Sequence, residues 1–343
     1  MGESRVTVVI VNYRSGDDLA HCLPGVLAAG EALSRIVVFD NASGDESIDH
    51  ADTLALTDDR LEVVRSESNL GLAGAVNEIL PGVTTEYLAV LNPDSTPLEG
   101  WLEPLVDYLD GHPDAAVACP LVLMEGLGEV NSAGQHVHVT GLGFNRLLHA
   151  RPDSIPRQPH PVGGLHGVAF LIRTEILREL GGWDSTGFLY HEDVALSWDV
   201  LLDGHDIVCV PESRVLHDYH LTMYPEKLYL LERNRWALLL SHLRWRRLVI
   251  IAPVLALTEL MVWGLCIVRG KGFISAKTSA YAWVRDHRRE IADWRRRVFS
   301  RPIYDDFRLR RGTRWSYPLL QLGILGGERG ESTRRPPGGL PCS

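Results

Sequence analysis

The feature that most constrains the fold of this chain is an alternation of short apolar runs and helical stretches over its first 125 residues. The runs have the length and composition of strands buried in a parallel sheet, and they are Val6–Val11, Ile36–Phe39, Leu61–Val64, Tyr87–Leu91 and Ala115–Leu123. Helical stretches such as Asp18–Ala29 and Gly71–Leu80 separate them. The alternation predicts a doubly wound, mostly parallel α/β sheet with helices on both faces.

Polar residues follow each of the first four predicted strands. In open α/β sheets, ligands bind beyond the carboxyl ends of the strands. The residues at those ends are therefore candidates for ligand contacts, and they are Asn12-Tyr13, Asp40-Asn41, Ser68-Asn69 and Asn92-Pro93-Asp94.

Two of these residues are carboxylates with a specific chemical use. Asp40 can accept hydrogen bonds from a ribose or a base edge, although the sequence after it is also good turn chemistry. Asp94 offers the rigidly placed carboxylate that a divalent cation binds together with substrate phosphates, although a Pro-Asp-Ser turn is the alternative.

The middle of the chain breaks the periodicity. Asn131–Gly164 is rich in Gly, His and Pro, and we expect mobile loops near a substrate there. Regular structure returns in two predicted strands and two predicted helices, at Gly167–Arg173, Glu175–Leu180, Asp193–Asp203 and Ile207–Val210.

A third polar cluster consists of Trp183-Asp184 and His191-Glu192-Asp193. The adjacent carboxylates are either caps that complement a helix dipole or a general base whose pKa depends on its partner and its burial. Beyond the strand Ile207–Val210 lie His217 and His220, and a neutral imidazole there would complete a metal site or serve a structural role.

The longest apolar run, Leu248–Val268, has 21 residues and is interrupted by Thr258 and Glu259. Its length permits a membrane span. A central carboxylate opposes spanning, and basic residues at both ends give no orientation. We therefore favour an interfacial or re-entrant helix, with a buried core helix as the remaining alternative.

Charge divides the chain at the same place. Residues 1–243 hold 36 acidic and 14 basic residues, whereas residues 244–343 hold 8 acidic and 20 basic ones. A basic segment favours an anionic partner, namely lipid headgroups, nucleic acid or a lipid-linked phosphate. The adjacent apolar run favours a membrane surface over nucleic acid. We predict a catalytic domain over 1–243, a membrane-association region over 244–314 and a disordered tail over 315–343.

The five cysteines form no CxxC pair, which favours a reducing compartment. Together with the basic third, this predicts a position on the cytoplasmic face of the plasma membrane.

In order along the chain, these residues resemble the family 2 glycosyltransferases with the GT-A fold, in particular the rhamnosyltransferase-like branch. The resemblance covers Val6 to Arg235, about two thirds of the chain. The motifs that carry it are Val9-Ile10-Val11-Asn12-Tyr13, Asp40-Asn41-Ala42-Ser43-Gly44-Asp45, Asn69 to Asn77, Leu91-Asn92-Pro93-Asp94, Gly181-Gly182-Trp183-Asp184, Glu192-Asp193-Val194, Arg214-Val215-Leu216-His217 and Arg233-Asn234.

The resemblance implies a role for each site residue. The nucleotide-sugar donor would be bound by Val11, Asn12, Tyr13, Asp40, Asn41, Asn69, Gly71, Asn77, Asn92 and Asp94. A divalent cation, Mg²⁺ or Mn²⁺, would be held by Asp94 and His217. The catalytic pair would be Asp193, as general base, and Glu192, and the acceptor would be contacted by Trp183, Asp184 and His191.

The implied reaction is a single displacement that inverts the anomeric centre. The donor would be dTDP-rhamnose or a UDP-sugar, and the acceptor a hydroxyl of a glycan on a polyprenyl-phosphate lipid, in cell-envelope polysaccharide synthesis. A second copy of the chain is a further candidate partner. The sequence departs from the family pattern at Ala195, where an acidic residue is common, and at Asp199, where a basic one is common.

Two other functions stay open. A sugar nucleotidyltransferase would have a Gly-rich, basic loop after the first strand, but Asn12 to Asp17 contain one Gly and one Arg. A degenerate, non-catalytic membrane scaffold is the other alternative. An NAD-dependent enzyme is disfavoured because no GxGxxG follows a strand.

Overall fold

The structure of the protein is a computed structural model, which describes residues 5–218, 222–318 and 321. His220 and most of the tail predicted to be disordered lie outside the described residues.

Thirteen strands are present among the described residues: β1 Val6–Asn12, β2 Leu33–Asp40, β3 Leu61–Arg65, β4 Tyr87–Leu91, β5 Ser95–Pro97, β6 Ala115–Met124, β7 Val130–Ser132, β8 Gln135–His138, β9 Gly143–Asn145, β10 His160–Pro161, β11 Ala169–Arg173, β12 Asp206–His217 and β13 Thr313–Arg314. The helices of the same residues are α1 Asp18–Leu27, α2 Asp49–Ala55, α3 Gly71–Ile79, α4 Glu103–Gly111, α5 Thr174–Glu179, α6 Glu192–Leu202, α7 Pro225–His242, α8 Trp245–Arg269, α9 Lys271–Asp286, α10 Arg288–Ser300 and α11 Asp306–Gly312.

The central sheet has the strand order β10-β12-β6-β11-β4-β1-β2-β3. Neighbouring strands β4, β1, β2 and β3 are parallel, as are β6 and β12, whereas β11 runs antiparallel to both of its neighbours. Alternate residues of β1 enter opposite cores, with Val9 and Val11 on one face and Val8 and Ile10 on the other. The predicted α/β sheet and its first five strands are confirmed.

The segment Asn131–Gly164, expected to consist of loops, also contains short strands. This segment contributes β7 to the central sheet, and β8 and β9 form a second sheet with β13. The partner strand β13 begins at Thr313. A pairing that remote leaves no mark on the local pattern of residues 131–164.

The C-terminal helices share a core with the domain that precedes them. Ile251 of α8, Ile291 and Val298 of α10 and Leu309 of α11 are buried in the same apolar cluster as the inner face of the sheet. Residues on both sides of the predicted boundary at 243 therefore pack as one unit. Of the predicted tail, Tyr317 stacks on His138 with ring centroids 4.1 Å apart.

Helix α8 is long and apolar enough to cross a membrane, yet only 11% of its most apolar stretch is buried. The alternative of a buried core helix is therefore wrong. One face carries exposed apolar side chains, including Trp245, Val249, Ile250, Leu257, Leu260, Ile267 and Val268.

The opposite face of α8 carries Glu259, which points into the protein. Glu259 pairs with Arg235 of α7 at 2.5 Å and with Lys277 of α9 at 2.8 Å. Glu232 of α7 pairs with the same two cations. We call these four residues the ion quartet. Because two anions meet two cations, the quartet is balanced in charge although three of its members are almost completely buried.

Candidate active site

The ends of β1 and β2 hold a carboxylate in a fixed position. Asn12 is completely buried, and its Nδ2 donates to Asp40 Oδ1 at 3.0 Å and to the hydroxyls of Ser43 and Ser47 at 3.1 and 2.9 Å. The amide of Asn12 is thus used inside the protein, and what it does is orient Asp40. Val11 is also buried, whereas Tyr13 is half-buried beside Arg14.

A crevice of about 330 Å³ opens beside this edge, at the end of β3. That volume is at the lower end of the range for small-ligand sites, roughly 300–1,000 Å³. Its lining residues are Phe39, Val64, Arg65, Ser66, Glu67, Ser68, Leu70 and Glu78. Sequence reasoning did not include Arg65 or Ser66 in the site, although both follow the strand Leu61–Val64 directly.

The predicted donor residues after β2 and β3 hold one another. Asn41 is buried, its Oδ1 accepts from the Leu70 N–H at 2.7 Å, and its Nδ2 donates to the carbonyl oxygen of Gly71. The side chain of Asn69 accepts from the Gly71 N–H at 2.9 Å. Gly71 has a φ of +71°, and a Cβ there would lie 2.1 Å from the carbonyl oxygen of Phe188. Only glycine fits this contact.

The resemblance implies that Asn77 contacts the donor and Trp183 the acceptor, but in the structure the two residues are hydrogen-bonded to each other. Asn77 Nδ2 donates to the Trp183 carbonyl at 2.6 Å, and the Trp183 N–H donates to Asn77 Oδ1 at 2.7 Å. The Trp183 side chain is only 1% exposed and packs edge-on against Phe170. Its ring therefore supports the site from behind instead of facing a ligand, and its Nε1 donates to the Glu192 carbonyl.

The predicted metal ligands are neighbours. His217 Nε2 lies 3.5 Å from Asp94 Oδ2, because His217 ends β12 where β12 pairs with β5. Strand β12 thus runs beyond the predicted end at Val210. His217 Nδ1 lies 3.0 Å from Asn131 Oδ1. Since an amide oxygen only accepts, Nδ1 donates to Asn131, and Nε2 is the ring nitrogen that faces Asp94.

This pair fits a divalent cation by its donor chemistry. Asp94 Oδ1 is buried without a hydrogen-bond partner, and a carboxylate oxygen with an imidazole nitrogen is a donor set that Mn²⁺ accepts. Among residues 5–218, 222–318 and 321, no group of three or more His, Cys, Asp or Glu side chains completes the site. Asn92 is half-buried on the same turn. Sequence reasoning missed Asn131, which orients the imidazole.

His166 and Gly167 lie between the Asp94–His217 pair and the predicted catalytic pair. The His166 ring lies edge-on to His217, with centroids 6.2 Å apart, and burial lowers the pKa of His166 to about 3. The Gly167 N–H donates to Asp193. Of these two adjacent residues, one therefore contacts His217 and the other Asp193.

Glu192 and Asp193 form the first turn of α6. Asp193 Oδ2 accepts from Gln135 Nε2 at 2.5 Å and Oδ1 from the Val194 N–H at 2.8 Å. Burial raises the pKa of both carboxyls, and the neighbouring charge of Asp193 raises that of Glu192 further. The hydrogen bonds to Asp193 oppose this rise in its pKa, whereas Glu192 Oε2 is buried without a hydrogen-bond partner. A carboxylate whose pKa burial raises is suited to general-base catalysis.

Asp184 and His191 line a narrow cavity with Glu192, Asn234 and Trp283. Burial raises the pKa of Asp184, whose side chain accepts from the Thr186 N–H at 2.7 Å. Burial lowers the pKa of His191 to about 4, so this imidazole is neutral.

The departure from the family pattern at Asp199 has a structural counterpart. The Asp199 side chain is 2% exposed, and its Oδ1 lies 3.0 Å from His242 Nε2 and 2.6 Å from Arg301 Nη1. Burial alone would raise the pKa of Asp199, but these two neighbours outweigh it and hold the pKa below its ordinary value. Arg301, in the C-terminal region, thus supplies a cation next to this helix position. No compensating contact accounts for Ala195.

The model of the Glycosyl transferase family 2 family matches residues 7–181, just over half of the 343 residues. This chain belongs to that family, and its members are glycosyltransferases.

Two curated relatives come from Mycobacterium tuberculosis. The N-acetylglucosaminyl-diphospho-decaprenol L-rhamnosyltransferase is 26% identical over 232 residues, covering 61% of this chain and 75% of that protein. The pre-mycofactocin glycosyltransferase is 30% identical over 164 residues, covering 46% of this chain. The chain spans about a third, 32%, of that second relative's length.

Two solved glycosyltransferases share the fold. GalNAc-T7 with UDP, GalNAc and Mn²⁺ superposes with a TM-score of 0.59 at 20% identity, covering 70% of this chain and 48% of that one. The mannosyltransferase PcManGT from Pyrobaculum calidifontis, with GDP-Man and Mn²⁺, gives 0.54 at 16% identity, covering 96% and 89%. The fold is therefore GT-A.

Proposed function

We propose that this protein is an inverting, metal-dependent glycosyltransferase that moves a sugar from a nucleoside diphosphate donor to a hydroxyl of a glycan. The observation that carries the proposal is the arrangement at the carboxyl edge of the sheet. There, Asp40, which follows the crevice residue Phe39, the Asp94–His217 pair and the half-buried Glu192–Asp193 pair follow one another, linked by His166-Gly167.

In the proposed reaction, Asp40 hydrogen-bonds the ribose or base of the donor. Asp94 and His217 would hold Mg²⁺ or Mn²⁺, which as a Lewis acid neutralises charge on a departing diphosphate. Asp193, oriented by Gln135, takes the proton of the acceptor hydroxyl. The hydroxyl oxygen forms a bond to the anomeric carbon as the bond to the diphosphate breaks on the opposite face, so one displacement inverts that centre.

The donor and acceptor classes rest on the relatives. A relative named for rhamnosyl transfer to N-acetylglucosaminyl-diphospho-decaprenol supports dTDP-rhamnose as the donor, with UDP-sugars as the alternative. It also supports an acceptor glycan on a polyprenyl diphosphate and a role in cell-envelope polysaccharide synthesis. Both assignments are proposals for this chain.

The exposed apolar face of α8 supports association of the enzyme with a membrane surface. The other face contacts the rest of the protein along the helix, at Ile251, at Thr258, which bonds Thr140, and at Cys266. A spanning α8 would therefore draw the catalytic domain into the bilayer. A helix lying in the headgroup layer satisfies both faces. The free, buried cysteines Cys22, Cys119, Cys209 and Cys266 agree with the cytoplasmic side.

A panel of nucleotide sugars with Mn²⁺ tests the activity. Ligand binding to the native state raises the unfolding temperature, so the correct donor gives the largest rise in a thermal-shift assay. Asp94→Ala should abolish the metal-dependent part of that rise and the sugar transfer. If neither dTDP-rhamnose nor any UDP-sugar binds or turns over in the presence of metal, the proposal fails.

Sedimentation with vesicles that contain anionic lipid tests the proposed membrane association. The double variant Leu260→Glu/Ile267→Glu should no longer sediment with them, because charge on the inserted face opposes burial. The matched control is Leu56→Glu, which changes an 86% exposed leucine at the end of α2. Equal sedimentation of the double variant and the wild type would contradict membrane association through α8.

A further inference from the structure

The sequence resemblance includes the Arg233-Asn234 motif, and the proposed reaction leaves it without a role. Asn234 lies on α7 and is 6% exposed. Its Nδ2 donates to three carbonyl groups of loop 185–191, those of Gly187 at 2.9 Å, Leu189 at 3.0 Å and Tyr190 at 2.7 Å. One amide thus holds most of the loop that leads into the catalytic pair.

Arg233 fixes which way the Asn234 amide faces. Arg233 Nε donates to Asn234 Oδ1 at 3.2 Å, so the nitrogen of the amide is the atom turned toward the loop. Arg233 Nη2 also donates to the Gly187 carbonyl at 3.0 Å, and its guanidinium lies over the Trp283 ring. A Cβ at Gly187 would lie 3.0 Å from Asn234 Nδ2, which explains a glycine at the contact.

The loop has backbone hydrogen bonds of its own, but three of its residues are held in strained conformations. Phe188, Tyr190 and His191 have φ values of 59°, 62° and 75°, which lie in a region that residues other than glycine rarely occupy. His191 is the N-cap of α6, yet its side chain makes no capping hydrogen bond. Such backbone persists only where surrounding contacts determine it. The contacts that do so here come from α7.

Helix α7 is a firm support for these contacts. Glu232 and Arg235, on either side of the Arg233-Asn234 motif, belong to the ion quartet that ties α7 to α8 and α9. The loop is therefore held by a helix that is itself anchored in two others.

We propose that Asn234 is a positioning residue for the Glu192–Asp193 pair. By holding loop 185–191, it determines where α6 begins and therefore where the two carboxylates stand relative to the donor side. In the proposed role Asn234 acts through the loop, although its side chain also lines the cavity that Asp184, His191 and Glu192 share. The inference rests on the proposed function, in which this pair serves the acceptor hydroxyl.

The test compares Asn234→Ser, which removes the amide, and Asn234→Asp, which turns a carboxylate oxygen toward the carbonyls. Gln158→Ser and Gln158→Glu are matched controls, because they remove or charge an exposed amide that has no part in the proposed site. Steady-state kinetics, donor affinity and hydrogen exchange of residues 186–193 are measured for each. Misplacement of a catalytic group by an ångström lowers rates by about 100-fold.

We expect Asn234→Ser to lower kcat by about 10-fold to 100-fold while donor affinity stays that of the wild type. The amides of residues 186–193 should exchange faster, and the Gln158 variants should leave kcat, donor affinity and exchange unchanged. A wild-type kcat in Asn234→Ser would overturn the inference, as would a parallel loss of donor affinity and kcat with unchanged local exchange.

Failure of the proposed function looks different. If the wild type transfers no sugar from any donor, the reaction is wrong. The exchange of residues 186–193 in Asn234→Ser still decides whether Asn234 holds the loop. Should Asn234→Asp fail to fold, Asn234→Ser carries the kinetic comparison.

Discussion

The proposed donor side and the proposed acceptor side of this site are built in different ways. The donor side takes its residues from consecutive strand ends within the first 94 residues, and Asp40 is held by Asn12 on the neighbouring strand. The acceptor side joins remote segments, with Asp193 bonded by Gln135 and its loop held by Asn234. A site can thus have one half specified by local pattern and another by tertiary packing.

The largest effect should come from the acceptor side. Asp193→Asn removes the proposed general base, and such groups contribute about 10²- to 10⁴-fold to the rate. Rapid-quench measurement of sugar transfer should show this loss with donor affinity unchanged. Asp153→Asn, at a carboxylate 75% exposed, serves as the control. A transfer rate within about tenfold of the wild type would exclude Asp193 as the base.

Stability offers the next test, because the acceptor side depends on the C-terminal helices. Lys277→Met leaves the quartet with an uncompensated buried carboxylate and should lower the free energy of unfolding by about 3–5 kcal/mol. Urea denaturation measures this. The double variant Lys277→Met/Glu259→Gln restores the charge balance and should recover much of the loss. A single-variant effect below about 1 kcal/mol would place the quartet among weak surface pairs.

Disruption of the donor side should affect binding rather than turnover. Asp40→Asn replaces a charged acceptor of hydrogen bonds, worth about 1.5–3 kcal/mol, so the Kd of the donor should rise about 10-fold to 100-fold. Isothermal titration measures the Kd, and kcat at saturation should stay near the wild type. Glu46→Gln, exposed in the same loop, is the control. A large fall in kcat without a change in Kd would contradict the division into two halves.

The smallest effect concerns pH and stability. Burial raises the pKa of Glu192 in the folded state, so above the ordinary carboxyl pKa of about 4 the unfolded chain binds fewer protons than the folded one. The free energy of unfolding should therefore decline as pH rises through this window, by at most about 1.4 kcal/mol per pH unit for one group. Glu192→Gln should flatten the decline in urea titrations at several pH values. An unchanged slope would show that Glu192 is ionised in both states.

The same division explains what the sequence could predict. Buried parallel strands are visible in a sequence as short apolar runs, so the sheet and the polar residues at its strand ends were predictable. The resemblance identified Asp94 and His217, which the structure brings within 3.5 Å. The support roles of Asn77 and Trp183 were not predictable, because a motif gives residue types and not which atoms face the ligand.

Residues 131–164 and the loop before α6 escaped prediction for a related reason. Strand β8 is completed by β13, some 175 residues later in the chain, and loop 185–191 by Asn234. Contacts between distant segments leave no periodicity in either one. The glycines were a usable signal, since Gly71 and Gly187 both mark a close approach of another segment.

The inward direction of Glu259 has a consequence for how the enzyme meets its acceptor. With α8 lying in the headgroup layer, a roll about the helix axis would carry this carboxylate toward lipid, so the pairing with Arg235 and Lys277 locks one rotation. In the proposed membrane position, every copy would present Asp193 at the same height above the bilayer. An acceptor of the proposed lipid-linked class would have to extend to this height, so the geometry would select glycans by their length as well as by their terminal sugar.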